Sequence, residues 1–120
     1  MMLAGLVEKA RKKPNLQRLG RNCTAEFVIG IDDARHHIVI RDGLVADVLG
    51  GPFKMRPYSF SISAPAASWA EFCKPKPAPG FNDVFAMTSY GHAQLEGDSA
   101  VFLEYLRFFK DILALLREGA

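Results

Sequence analysis

The apolar positions change period several times along the chain, and each change marks an element. Residues 58–63 read Tyr-Ser-Phe-Ser-Ile-Ser, a strict alternation that predicts a half-buried strand with aromatic and aliphatic side chains on one face and serines on the other. Phe27 to Ile31 and His37 to Arg41 read as two further strands joined by an Asp32–Arg35 turn. Asp42-Gly43 is a two-residue hairpin signal, because both residue types accept positive φ, and Leu44 to Val48 is the third strand. Such short connections make these strands antiparallel neighbours. His92 to Glu96 is a fifth strand, and Gly97-Asp98-Ser99 turns the chain and caps a C-terminal helix.

That helix is the greasiest stretch of the chain. From Ala100 to Leu116 only Glu104, Arg107, Lys110 and Asp111 are polar, and at about 100° per residue they share one stripe with Arg117 and Glu118. Val101, Phe102, Tyr105, Phe108, Phe109, Ile112, Leu113 and Leu116 cover roughly half of its circumference. An arc that broad needs more than a sheet beneath it: a bound apolar ligand, a partner chain or a membrane. At the other end, residues 2–13 predict an amphipathic helix with Leu3, Leu6, Val7 and Ala10 on one side. Pro14 is expected to end it, and 15–22 to form a polar connector. Pro65 to Cys73 and Asn82 to Tyr90 predict short aromatic helices, separated by the stiff Lys74-Pro-Lys-Pro-Ala-Pro-Gly80 loop. Gly50-Gly51-Pro52 is expected to turn the chain after the third strand. The class is α+β, a five-stranded, mostly antiparallel sheet with helices on one face.

Composition adds charge asymmetry. The net charge is +2, but residues 1–21 carry +5 and the remainder −3. A basic arm on a slightly acidic body fits an anionic surface such as lipid headgroups, or else a solvated helix face. Residues 1–22 are read as this basic arm and its connector, and 23–120 as the folded domain. The basic residues lack interleaved aromatics, which argues against nucleic acid. The two cysteines, Cys23 and Cys73, form no disulfide framework and read as reduced thiols, which places the protein in the cytoplasm. No apolar run is long enough to span a bilayer, and the start lacks the order of an export signal.

Candidate chemistry is sparse. His36 and His37 are adjacent on a strand and point to opposite faces, so they cannot both hold one metal from regular backbone. Asp32, Asp33, Asp42 and Asp47 sit at turns, where aspartates support the backbone. No HExxH, CxxC or phosphate-loop motif occurs. No catalytic residue, metal or cofactor is therefore expected. A small enzyme using His92 or His36 with an aspartate stays open as an alternative, as does an interaction module that buries the last helix against a second copy or an enzyme subunit.

The three-strand meander with its Asp42-Gly43 hairpin, the Tyr58–Ser63 strand running into a helix with Trp69, and Gly91-x-x-x-Leu95-x-Gly97-Asp98 before a long apolar helix together resemble the sterol carrier protein type 2 family. The resemblance covers about 25–117. It implies a five-stranded sheet and helices enclosing an apolar tunnel for a sterol, fatty acid or acyl-CoA, with binding and transfer but no chemistry. The chain departs from the pattern at 84–90, which lacks an Asn-Pro-Gln type segment, and in the Lys-Pro-Lys-Pro loop. On this reading Phe60, Trp69, Phe85, Leu95, Phe102, Tyr105 and Phe109 line the ligand space, and Lys74 and Lys76 stand at its rim toward a headgroup. Residues 3–13 would dock on anionic membranes with Leu3, Leu6 and Val7 inserted.

Overall fold

The computed structural model describes residue 3 and residues 5–51 and 56–117. The expected turn residue Pro52, the aromatic Phe53, the helix start at Met2 and the stripe residue Glu118 lie outside the described residues. Five strands form one sheet in the order β3-β2-β1-β4-β5: β1 (Ala25–Ile31), β2 (Ala34–Arg41), β3 (Leu44–Gly50), β4 (Phe60–Ala64) and β5 (Gln94–Gly97). Every pairing is antiparallel except β1 with β4, which is parallel, with Phe27 opposite Phe60 and Ile29 opposite Ile62. The expected α+β class with a mostly antiparallel sheet is observed.

The β2–β3 hairpin turns as its sequence requires. Asp42 and Gly43 both have positive φ, 48° and 79°, as a type I′ turn demands. Gly43 is also crowded: a Cβ there would stand 2.6 Å from the Gln17 carbonyl oxygen. The turn docks on the chain before β1, with the Gly43 amide donating to the Cys23 carbonyl at 3.0 Å and the Asn22 amide to the Asp42 carboxylate at 2.8 Å.

The N-terminal region differs from expectation. Two short helices replace one, α1 (Leu6–Arg11) and α2 (Pro14–Leu19). Pro14 begins α2 rather than ending α1, because at the first helical position its missing N–H costs nothing and its φ is already helical. The stretch expected as a polar connector is thus largely helix, anchored by buried Leu16. Leu3, Leu6, Ala10 and Leu16 all belong to the same hydrophobic core as the sheet, and α1 packs on β3. Leu3, Leu6 and Val7 are the residues expected to insert into a membrane; Leu3 and Leu6, at 3% and 1% exposure, are instead committed to the core, Val7 packs partly buried against it, and Arg11, Lys12 and Lys13 are exposed.

α3 (Ala66–Phe72) and α4 (Val84–Ser89) fall where the pattern places them. The long C-terminal helix does not run unbroken. It divides at Tyr105 (φ −114°, ψ 36°) into α5 (Ser99–Glu104) and α6 (Leu106–Ala114), the latter ending in a 3-10 turn over Leu115–Arg117. No proline or glycine interrupts 99–117, so local propensity does not cause the break. Phe102 is seated against β4 while Phe108 and Phe109 are buried farther along, and an unbroken rod would follow one straight line over a twisted sheet.

Candidate functional site

Alternation along the strands assigns each face of the sheet. Phe27 and Ile29 on β1, Ile38 and Ile40 on β2, and Phe60 and Ile62 on β4 are buried beneath the helices. The centre of that layer is an aromatic group. Phe27 and Phe60 stack at 5.1 Å between ring centroids, and Phe109 meets both edge-on at 5.3 and 5.0 Å. Phe102 packs against Phe60 at 5.3 Å and Phe109 at 6.0 Å, and Phe85 closes on Phe102 at 5.7 Å. These are contact distances for aromatic pairs, so the rings pack on one another between sheet and helices.

Of the expected ligand-space residues, the structure therefore brings Phe60, Phe85, Phe102 and Phe109 into one group. Leu95 and Tyr105 pack at its margin as partly buried side chains. Trp69 stands apart: its ring meets Phe72 at 5.7 Å, and its indole N–H donates to the Gly30 carbonyl at 2.9 Å. Phe27 joins the group without having been expected there. Its signal was present, an aromatic in register with Ile29 and Ile31 on what proves to be the central strand.

The loop expected to form the rim is pinned at both sides. Lys74 pairs with Glu71 at 2.8 Å, and the Ala78 amide donates to the same carboxylate at 3.1 Å. These contacts, Lys74 first, hold the Glu71 carboxyl below its usual range. Lys76 is exposed. The far side of the loop is clasped by Arg117. Its guanidinium lies 4.4 Å from the Phe72 ring centre and donates to the carbonyls of Phe72 (2.6 Å), Phe81 (3.3 Å) and Asn82. Asp83 caps α4 through the Ala86 amide at 2.8 Å and reaches Lys110 on α6 at 3.4 Å. Burial pushes its carboxyl up, but the Ala86 amide and Lys110 outweigh this and leave it lowered.

Two polar places lie elsewhere. On the sheet face away from the helices, His37 is 1% exposed, with its Nδ1 on the Glu26 carboxylate and its ring edge toward Tyr58 at 5.9 Å. Arg56 grips the same carboxylate with two bonds, 2.6 and 3.0 Å. The Arg56 bond is the main reason the Glu26 carboxyl sits below its usual value; burial opposes it and His37 assists. His37 is thus buried in a strand, and Glu26 on the adjacent strand makes its burial tolerable. Tyr58 is corrected as well, since the strand begins at Phe60 and leaves Tyr58 on the His37 face.

The second place is an open cleft of about 780 Å³ lined by Asp32, Asp33, Ser63, Gln94 and His92 among others. The His92 ring stacks on Phe81 at 4.2 Å, and the Asp32 carboxylate accepts from the Ala66 amide at 2.9 Å. No hydrogen bond joins His92 to either aspartate among the described residues, so the cleft shows no assembled acid–base pair. His36 sits on β2 opposite Ile29. No group of three or more metal-ligating side chains occurs among the described residues.

No protein-family model and no curated protein matches the sequence. Solved structures do match the fold. A crystal structure of sterol carrier protein 2 superposes with a TM-score of 0.78 at 13% identity, covering 99% of this chain and 95% of the other. A conserved hypothetical protein of Thermus thermophilus, offered as a candidate sterol carrier protein, superposes at 0.72 and 14% identity over 99% of this chain and 86% of its own. A UbiJ-SCP2 ubiquinone synthesis protein does so at 0.60 and 14%, over 96% and 88%.

Proposed function

We propose that this chain, which has the fold of sterol carrier protein 2, is a non-catalytic carrier of an apolar lipid such as a fatty acid, acyl-CoA or sterol. The observation that carries the reading is the nearly full-length fold match combined with an aromatic group at the centre of the sheet–helix layer. The mechanism is physical. A lipid chain leaves water and lies between sheet and helices, where each buried methylene contributes about 0.8 kcal/mol. Roughly twelve of them give about 10 kcal/mol, offset by several kcal/mol of lost freedom and by displacement of the rings. A dissociation constant on the order of micromolar follows, weak enough for release.

Phe60, Phe85, Phe102 and Phe109 would form the wall, with Leu95, Tyr105 and Trp69 at its margins. Lys76, and Lys74 after exchange from Glu71, would meet an acidic headgroup at the rim. The exposed basic side of α1 and α2, including Arg11, Lys12 and Arg18, would dock electrostatically on anionic lipid. Two thiols rather than a disulfide fit a cytoplasmic carrier, and no helix among the described residues is long and apolar enough to cross a membrane.

The test is organic extraction of the purified protein with lipid mass spectrometry, followed by titration with a fluorescent fatty acid. Phe102→Ala should change probe affinity by more than tenfold. Loss of several kcal/mol of stability with no probe bound by the wild type would show a plain core instead. A second reading, an interaction module, is favoured by one observation: Leu103 and Tyr90 are 54% and 70% exposed. Light scattering separates the two, since a module that pairs with itself gains mass with concentration in the absence of lipid.

A further inference from the structure

The rings of the aromatic group touch one another, so a lipid chain can lie among them only if a ring withdraws. We propose that the wall that moves is α5, swinging as a short lid between Gly97-Asp98 and Tyr105 and drawing the Phe102 ring out of the group. The inference rests on the lipid-carrier reading for its purpose and on the geometry for its mechanics.

The helix is bounded at both ends by non-helical backbone. Gly97 has φ +97°, a region that L side chains rarely adopt, and Tyr105 serves at once as the last cap of α5 and the first of α6. Attachment is unequal across that break. Of its six residues α5 buries Phe102 alone, whereas α6 buries Phe108, Phe109, Ile112 and Leu113. Leu103 is 54% exposed on the outer side of α5. The anchor strand is short, β5 having four residues, but it is fixed, since the Asp98 amide donates to the Ser59 carbonyl at 2.7 Å. A helix of under two turns with one buried side chain, Phe102, and one partly buried against the core, Val101, is marginal by itself, and segments with few buried contacts open locally below the cost of global unfolding. Withdrawal of Phe102 uncovers Phe60, Phe85 and Phe109 together, because its ring touches all three.

The test uses the full chain. Amide hydrogen exchange is measured without lipid for residues 101–105 and 109–113, and uptake of cis-parinaric acid is followed by stopped-flow fluorescence. Two variants at exposed Ser99, the first residue of α5, bias the lid in opposite directions. Ser99→Pro pre-sets helical φ where no N–H is needed, and Ser99→Gly loosens it. We expect exchange at 101–105 to be at least tenfold faster than at 109–113. We expect Ser99→Pro to slow both that exchange and probe uptake about threefold, and Ser99→Gly to accelerate both, with circular dichroism unchanged. Equal protection of α5 and α6, or uptake rates indifferent to both variants, overturns the lid. Fast exchange at α5 that follows the variants, with no probe bound at any concentration, establishes the moving helix and removes the lipid reading instead.

Discussion

Two single side chains carry polar tasks that apolar packing cannot. The Glu26 carboxylate compensates buried His37 while bonded twice to Arg56. Its folded carboxyl titrates below the ordinary value of 4.5, so its contribution is complete above the unfolded value and is lost as pH falls through the folded one. Glu26→Gln should therefore cost about 1.5–3 kcal/mol near neutrality, and the gap to wild type should narrow below about pH 4. Urea denaturation at pH 7 and pH 3 measures both; an equal gap at the two pH values would remove the ion pair from the account. Trp69 is the second case. Trp69→Phe leaves the Gly30 carbonyl without its indole donor and should cost about 1–3 kcal/mol. As this is the sole tryptophan, circular dichroism must follow the melt.

At the scale of elements, the decisive contacts join pieces distant in sequence. Arg117, in the last turn, spans the base of the 73–83 loop through three carbonyls and the Phe72 face. Arg117→Ala should lower stability by about 2–3 kcal/mol. Arg117→Lys should recover less than half, because an ammonium cannot fork between carbonyls or stack on a ring. Thermal melts of the three proteins suffice, and full rescue by lysine would show that charge alone matters. The β2–β3 hairpin is bound by backbone conformation instead. Gly43→Ala should destabilise by more than about 1 kcal/mol, since a methyl group at positive φ would also press on the Gln17 carbonyl.

Across the whole molecule, the arm and the body divide the charge. With Leu3 and Leu6 in the core, the proposed docking of this arm on a bilayer would be electrostatic and superficial. Sedimentation with anionic vesicles should show binding at low salt and its loss at about 0.5 M, because exposed charges are screened within a few ångströms there. Replacing Arg11 and Lys12 with glutamine should weaken binding by up to about 1 kcal/mol each. Binding that persists at high salt would mean that apolar residues insert after all.

Much of this architecture was legible in the chain because its signals are local. The alternation over Phe60–Ser63, Asp42-Gly43 and the Asp98 cap each act within a few residues, so the strands, the hairpin and the starts of α3, α4 and α5 follow from sequence. The pairing of β1 with β4 is not local: the two strands are separated by a crossover, and which face Tyr58 joins depends on where that crossover lands. Pro14 carries one chemistry that suits both the end of one helix and the start of another, and only the buried Leu16 selects the second. The break at Tyr105 likewise has no local cause and comes from seating Phe102 and Phe109 on one twisted sheet. The aromatic content was plain from composition. That the rings of Phe27, Phe60, Phe102 and Phe109 meet each other at the centre was decided by tertiary packing, because a wall and a core draw on the same residues at the same spacing.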